Sequence, residues 1–203
     1  MSSRDVVMGR IRAALGSVEV PIEVPRTYRR TADGGLDLLI ERLEDYKAVV
    51  HRGASVADTV AELVTGRLVV PPGIDPEWLP STVEVLRDDG LDADVLAVVD
   101  GVLTAATVAV AETGTIVLDG GERSGRRAIT LVPDLHICLV EAADIHASVP
   151  DAIAALAPAA AEGRPITLIS GPSATSDIEL QRVEGVHGPR RLDVIIVTDD
   201  GHA

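Results

Sequence analysis

The sequence has almost no large aromatic residues and a single cysteine. Phe is absent, and Tyr28, Tyr46 and Trp78 are the only large aromatic side chains. The core must therefore be built from Val, Leu, Ile and Ala, a composition that suits a buried parallel sheet. The one cysteine, Cys138, lies in the apolar run 137–140, so the sequence excludes an internal disulfide and a cysteine-ligated iron–sulfur cluster.

Other absences exclude further classes of function. The only lysine, Lys47, is followed by Ala48, so the chain has no P-loop for nucleoside triphosphates. The five histidines lack the spacing of a zinc-binding His-Glu-x-x-His helix, and no metal site is predicted. There is neither a run of about 18 apolar residues nor a secretory signal pattern. The sequence therefore predicts a cytoplasmic protein with no membrane partner.

Positive charge is scarce and unevenly placed. The net charge is −14, and no basic block or set of stacking aromatics is present, which argues against nucleic acid as a partner. Residues 1–30 nevertheless carry six Arg against three acidic residues. Such a basic arm on an acidic body is expected to pack against its own domain or against a neighbouring subunit, as in a homo-oligomer.

The chain divides into an arm and one larger domain. Ser2 and Ser3 precede apolar residues at three- to four-residue steps, which indicates an amphipathic helix ending near Gly16. A linker that contains Pro and Arg follows. Residues 1–34 are therefore predicted to form an N-terminal helical arm, and residues 35–203 a single domain.

The larger domain alternates between helical patterns and short apolar runs. Helices are predicted from residue 36 to 43, after a cap at Ser55, and over the Ala-rich segment 150–161. The short runs argue for an α/β fold with an open, mainly parallel sheet flanked by helices. The predicted strands are residues 48–51, 67–70, 83–86, 95–99, 116–118, 137–140, 166–169 and 194–197. In such sheets, ligands bind beyond the carboxyl ends of the strands.

The first candidate site is a loop between two apolar runs, formed by Glu112, Thr113, Gly114 and Thr115. The glycine permits a tight turn, while two hydroxyls and bare backbone amides are offered to one side. These groups make Thr113, Gly114 and Thr115 candidate ligand-binding residues. A plain turn between strands, with Glu112 in solvent, is the alternative interpretation.

The second candidate site is the loop after the strand predicted at 166–169. Ser176 and Glu179 have capping-box spacing, which predicts a helix start. Free amides and the helix dipole at such a start suit a carboxylate or phosphate. The predicted ligand-binding residues of this loop are Gly171, Pro172, Ser173, Thr175 and Asp177. A capping box without any ligand explains Ser176 and Glu179 equally well.

His187 follows in a segment rich in Gly and Pro. Its ordinary pKa near neutrality makes it a candidate proton carrier or anion donor for the same pocket, and an exposed loop histidine is the alternative. Asp177, Glu179 and His187 also form a carboxylate–histidine trio, but such trios arise by chance in many loops and do not by themselves predict a metal site.

Together these segments resemble the signature of the lactate-utilisation protein C family, which carries the LUD domain. The pieces that carry the resemblance are residues 112–115, Pro133 with residues 136–137, residues 171–179 and residues 185–189. The resemblance extends over most of the predicted domain. It implies a fold similar to that of ribose-5-phosphate isomerase, glucosamine-6-phosphate deaminase and the coenzyme A transferases.

The resemblance also implies a role in oxidising L-lactate to pyruvate, alongside the iron–sulfur lactate-utilisation proteins A and B. The chain is then an accessory or substrate-handling component that binds a small carboxylate or another anion. It holds no cofactor itself, and the clusters belong to its partners. Two alternatives stay open. One is a stand-alone enzyme acting on a small sugar phosphate or acyl thioester, with Glu112 or Glu179 as base or nucleophile and His187 as acid. The other is a non-catalytic interaction module that docks through its basic arm.

Overall fold

The fold is built from short helices and short strands. The computed structural model describes residues 2–16, 25, 27, 29, 32–53, 55–175, 183–184 and 188–198. The α-helices in these residues are α1 (Ser3–Leu15), α2 (Leu36–Asp45), α3 (Val56–Leu63), α4 (Ala93–Leu96), α5 (Val149–Ala155) and α6 (Ala157–Ala161). The strands are β1 (Val49–His51), β2 (Arg67–Val70), β3 (Glu84–Arg87), β4 (Gly101–Ala105), β5 (Val108–Val110), β6 (Thr115–Leu118), β7 (Leu135–Glu141), β8 (Ile145–His146), β9 (Thr167–Ile169), β10 (Ala174–Thr175), β11 (Val183–Glu184) and β12 (Arg191–Val197).

Six strands form one fully parallel sheet in the order β1-β12-β7-β4-β2-β3. The three strands β12, β7 and β4 are buried along almost their whole length. Strands of this kind are covered on both faces, and their sequences are therefore continuous apolar runs. The predicted α/β class and mainly parallel sheet are confirmed.

A second, four-stranded sheet has the order β8-β5-β6-β9. Strand β6 runs antiparallel to both β5 and β9, and β8 runs parallel to β5. The sequence did not predict this sheet. Both candidate loops belong to it, because residues 111–114 join β5 to β6 and the Gly-Pro-Ser loop follows β9.

Alternate residues of the central strands enter different parts of the core. Cys138 and Val140 pack with α2 and the second sheet, whereas Ile137 and Leu139 pack with α3. The first cluster also includes Leu39, Leu43, Ala109, Ile116, Leu192, Val194 and Ile196. The second also includes Val60, Val64, Leu68, Val70, Leu103 and Ile195. The aliphatic core expected from the composition is what holds the two sheets and the helices together.

Serine side chains define where three helices begin. The Ser2 hydroxyl accepts from the Asp5 amide, and the Asp5 carboxylate accepts from the Ser2 amide, which together form a capping box for α1. Ser55 and Ser148 cap α3 and α5 in the same way, each accepting from the amide three residues later. Helix α1 ends at Leu15 with Gly16 as its C-cap, in agreement with the predicted end near Gly16, and none of its residues is buried. Among the described helices, none has both the length and the apolar character to cross a membrane.

Three details of the sequence prediction differ from the structure. The strand predicted at 95–99 is wrong, because Ala93–Leu96 forms helix α4 and buries Leu96. Strand β4, at the centre of the main sheet, is not among the predicted strands. The single helix predicted at 150–161 is two helices, since Pro158 has no amide hydrogen to continue the hydrogen-bond pattern of α5 into α6.

One carboxylate lies inside the main sheet. Asp193 of β12 is fully buried, and its Oδ1 lies 2.7 Å from Nε2 of His51 on the neighbouring strand β1. The guanidinium of Arg191 is its second partner, with Nε 2.7 Å from Oδ2 and Nη2 donating to Oδ1 over 3.1 Å. Both partners are partly exposed, so they link the buried charge to the surface.

Candidate functional site

A cleft of about 590 Å³ opens between the main sheet and the loop that follows β9. Its size is typical of a site for a small molecule. The described residues that line it are Tyr46, Arg127, Thr130, His136, Leu168, Ile169, Ser170, Gly171, Pro172, Ser173, Gly188, Pro189 and Leu192. Three of the segments that carry the family resemblance, around His136, Gly171 and Gly188, therefore meet at one place in the fold.

The cleft lies at the amino end of the main sheet. His136 and Leu192 are the second residues of β7 and β12, and they are partners in the register of these strands. The expectation that a ligand binds at the carboxyl edge does not hold for this cleft. The physical reason is that the Gly-Pro-Ser loop follows β9, which belongs to the second sheet, so the rule for parallel strands does not place it.

The loop of residues 170–173 is held between α2 and the segment before β12. Gly171 has φ +144°, and a Cβ there would lie 2.7 Å from the carbonyl oxygen of Tyr46. The amide of Ser173 donates to the carbonyl of Pro189 over 2.8 Å. Gly171, Pro172 and Ser173, all predicted as ligand-binding residues, thus line the cleft on a backbone that has little freedom to move.

The threonine loop supports the Gly-Pro-Ser loop. Thr113 Oγ1 lies 2.8 Å from Thr115 Oγ1, which lies 2.8 Å from the hydroxyl of Ser170. Gly114 has the left-handed conformation that the turn between these threonines requires. The two predicted loops therefore meet in space. Thr113, Gly114 and Thr115 are not among the described residues that line the cleft, however, and the hydrogen bond from Thr115 to Ser170 links them to it.

Glu112 is engaged away from the cleft. Its Oε1 accepts from the amide of Val149 over 2.8 Å at the start of α5, and its Oε2 pairs with Arg29. The Val149 amide, and then Arg29, hold the pKa of this carboxyl below its usual range. The alternative of a freely solvated Glu112 does not match these contacts. A carboxylate stabilised in its ionised form is also a weak general base, so the geometry does not favour the catalytic role predicted for Glu112.

The other catalytic predictions lie outside the described residues. These are Glu179 and His187, together with the ligand-binding prediction for Asp177 and the helix start at Ser176. The backbone of Thr175 lies in β10, which pairs with β11 in a two-stranded antiparallel sheet.

Arg127 is the one charged side chain among the described residues that line the cleft, and none of these residues is acidic. Its Nη1 donates to the carbonyl and to the hydroxyl of Thr130, both over 2.9 Å. Within the described part of the chain, no carboxylate forms an ion pair with Arg127. The remaining guanidinium hydrogens are therefore available to an anion.

His136 is a neutral wall of the cleft. The side chain is almost completely buried, and its Nε2 lies 2.8 Å from Oγ1 of Thr104. Burial, and then the charge of Arg127, lower the pKa of His136 to about 3. The imidazole is therefore uncharged near neutral pH, and it adds hydrogen-bonding capacity rather than positive charge to the cleft.

The LUD domain family model matches residues 55–197 of this sequence. The chain belongs to the LUD domain family. The match covers the main sheet from β2 onward, the second sheet and every described residue of the cleft except Tyr46. The family assignment made from the sequence is therefore confirmed.

Individual relatives agree with this assignment. Lactate utilization protein C of Deinococcus radiodurans is 47% identical over 162 residues, which cover 77% of this chain and 76% of the relative. The protein of the same name from Shouchella clausii is 32% identical over 116 residues, 56% of this chain and 50% of the relative. The crystal structure of a DUF162 family protein from Deinococcus radiodurans has a TM-score of 0.69 and 40% identity, covering 79% of this chain and 94% of that chain.

Sequence reasoning missed four polar or aromatic residues of this LUD domain's cleft: Tyr46, Arg127, Thr130 and His136. His136 could have been predicted, because it lies in one of the segments that carry the family resemblance. Arg127 and Thr130 lie in a short 3-10 helix before β7, where no local pattern marks them. Tyr46 enters the cleft only because the end of α2 contacts Gly171.

The buried His136 should make this LUD domain sensitive to acid. Its pKa is about 3 in the fold and near 6.5 in the unfolded chain, so only the unfolded state gains a proton between these values. Stability is then retained above pH 6.5 and lost as the pH falls, by about 2 kcal/mol at pH 5. Urea unfolding of the wild type and of His136→Gln at pH 7.5 and pH 5 measures this term. The prediction is wrong if both proteins lose the same free energy on acidification.

Proposed function

We propose that this chain is an accessory, substrate-handling component of a lactate-utilisation system, and that it binds a small carboxylate in the cleft at Arg127. The single observation that carries the proposal is the position of Arg127, a cation that no described carboxylate pairs with, in a cleft whose described lining has no acidic residue. The names of the relatives supply the pathway, since they are lactate utilization proteins. Lactate and pyruvate are carboxylates of the required charge.

The geometry around Arg127 suits a carboxylate. Thr130 fixes the guanidinium through Nη1, so less conformational freedom is lost when the other hydrogens engage a ligand. A planar guanidinium and a planar carboxylate form two parallel hydrogen bonds. The protein has a net charge of −14, which repels anions in general. Because the described lining of the cleft has no acidic residue, this repulsion is weaker there.

The Gly-Pro-Ser loop forms the opposite wall in this proposal. Ser170 presents a hydroxyl whose position is fixed by Thr115, and Thr113 in turn fixes Thr115. In this proposal Gly171, Pro172 and Ser173 contact the ligand. Thr113, Gly114 and Thr115 do not contact it and instead hold Ser170 in position. In the proposed role, Glu179, His187, Thr175 and Asp177 complete the site from the adjoining segment.

Electron transfer is assigned to the partners. Cys138 is fully buried, and burial raises the pKa of its thiol to about 12, so it is unsuited to bind a metal as a thiolate. We therefore place the iron–sulfur clusters in lactate-utilisation proteins A and B, and we place all three proteins in the cytoplasm. This chain spans about half the length of relatives such as the Shouchella clausii protein, so the activity of the longer proteins is carried over only as part of the proposal.

Removal of the Arg127 guanidinium should weaken carboxylate binding strongly. We expect Arg127→Ala to weaken L-lactate binding by about 10- to 100-fold, the effect of one lost charge-assisted pair, and Arg127→Lys to weaken it less. Isothermal titration calorimetry of the purified protein is the measurement. Arg12→Ala is the matched control, because Arg12 is exposed on α1 and its loss changes the net charge equally.

Two results would contradict the proposal. Equal affinity of the wild type and Arg127→Ala for L-lactate and pyruvate would remove the carboxylate site. Growth on L-lactate as sole carbon source tests the pathway separately. We expect deletion of the gene to prevent this growth, the wild type and Arg12→Ala to restore it, and Arg127→Ala to fail. Normal growth of the deletion strain would instead favour a stand-alone enzyme on another substrate.

A further inference from the structure

A chain of hydrogen bonds runs from the cleft into the main sheet. It begins at His136, whose Nε2 lies 2.8 Å from Thr104 Oγ1. Thr104 Oγ1 donates to the thiol of Cys138 over 3.7 Å, and the thiol donates to the carbonyl of Leu139, also over 3.7 Å. The side chains of all three linking residues are buried, so water does not compete for these contacts.

The end of this chain sets the direction of every proton in it. The carbonyl of Leu139 can only accept, so the Cys138 proton points to it, and the Cys138 sulfur is left to accept from Thr104. The hydroxyl of Thr104 has a single proton, and it donates that proton to the Cys138 sulfur. Its oxygen must therefore accept from His136 Nε2, which makes Nε2 the protonated ring nitrogen. With the opposite tautomer Thr104 would donate to Nε2 and accept from the Cys138 thiol, so the contact between Cys138 and the Leu139 carbonyl would be lost.

The other nitrogen of His136 is left with a lone pair at the cleft. His136 lines the cleft, and within the described part of the chain its Nδ1 has no hydrogen-bond partner. Nδ1 is also not completely enclosed by the protein. The charge of Arg127 acts on the same ring and favours a bare lone pair over a positive imidazolium. The cleft therefore contains one cationic donor and one neutral acceptor.

We infer that His136 Nδ1 is the specificity-determining acceptor of the cleft, and that it selects a carboxylate bearing a hydroxyl group on the adjacent carbon, a 2-hydroxy acid, over the 2-oxo acid. The inference rests on the proposed binding of a carboxylate at Arg127. A hydroxyl group donates to Nδ1, whereas the carbonyl oxygen of a 2-oxo acid has no proton and places its lone pairs against that of the nitrogen. A buried acceptor left without a donor disfavours the wrong ligand.

Comparison of three acids of similar size tests the selection. Titration calorimetry of the full chain with L-lactate, pyruvate and propionate should give L-lactate about five- to tenfold tighter binding than either of the others, the value of one additional hydrogen bond. Thr104→Val removes the hydroxyl that fixes the proton and should bring the three affinities together. Thr104→Ser keeps the hydroxyl and should preserve the preference for L-lactate.

A second measurement reads the tautomer without any ligand. The ¹⁵N chemical shifts of the imidazole in histidine-labelled protein should show His136 protonated at Nε2 and bare at Nδ1 throughout pH 5 to 8. A proton on Nδ1 would overturn the inference. So would equal binding of L-lactate and pyruvate by the wild type, a result that would leave the carboxylate site at Arg127 standing. Binding of none of the three acids would overturn the proposed function and the inference together.

Discussion

Replacing Arg191 with alanine should destabilise the protein by about 3 kcal/mol, because it removes one of the two partners of a fully buried carboxylate. Asp193 has no contact with solvent, and among the described residues only His51 would remain to compensate its charge. An uncompensated charge in the interior costs several kcal/mol, far more than the loss of a surface ion pair. For a chain of this length, the corresponding fall in Tm is roughly 10 °C.

The neighbouring residue provides the control. Arg190 also pairs with an aspartate, Asp134, but both of these side chains are largely exposed. Arg190→Ala should therefore lower the stability far less than Arg191→Ala, because water screens an exposed ion pair. Thermal unfolding followed by circular dichroism compares the two variants directly. If Arg191→Ala and Arg190→Ala lower Tm by the same amount, the buried charge of Asp193 does not depend on Arg191.

Gly114→Ala should cost about 3 kcal/mol, although the change adds only one methyl group. The residue has φ +60°, which disfavours any side chain, and a Cβ there would lie 2.5 Å from Cβ of Arg42 and 2.9 Å from its carbonyl carbon. The backbone of α2 would have to move away from the threonine loop. Because Thr115 fixes Ser170, carboxylate binding in the cleft should weaken as well.

Gly163→Ala separates the cost of the backbone conformation from the cost of the steric contact with α2. Gly163 has φ +72°, close to that of Gly114, but a Cβ there meets nothing within 4 Å. The conformational term alone should cost about 1 kcal/mol. Urea unfolding of both variants gives the difference, which measures the contact between Gly114 and α2. Equal free energies of unfolding would show that this contact is relaxed at no cost.

Much of the fold follows from local patterns in the sequence. The continuous apolar runs of β7 and β12 predict strands covered on both faces, and Ser55 predicts the start of α3. The failures have a common cause. A run of five apolar residues at 95–99 fits a short helix as well as a strand, and only packing against β2 and β4 decides between them. The second sheet escaped prediction because its strands are two to four residues long.

The candidate site was predicted in part. The Gly-Pro-Ser loop lines the cleft as its composition indicated, because Gly171 allows a backbone approach that other residues would block. Gly114 was predicted to bind a ligand, but in the structure its lack of a side chain allows α2 to pack closely against the threonine loop. Arg127 and His136 belong to different elements and meet only through tertiary structure, so no spacing rule relates them. The sequence alone therefore does not show that these two residues lie in one cleft.

The order of the main sheet also determines when it can be completed during synthesis. Among the described strands, β1 pairs only with β12, and the contact between His51 and Asp193 joins residues 142 positions apart. A nascent chain that has not yet emerged as far as β12 leaves β1 without a neighbour and β7 with a bare edge. Contacts so distant along the chain form slowly, since a long loop must close first. Nearly the whole described chain must therefore be synthesised before β1 can pair with β12.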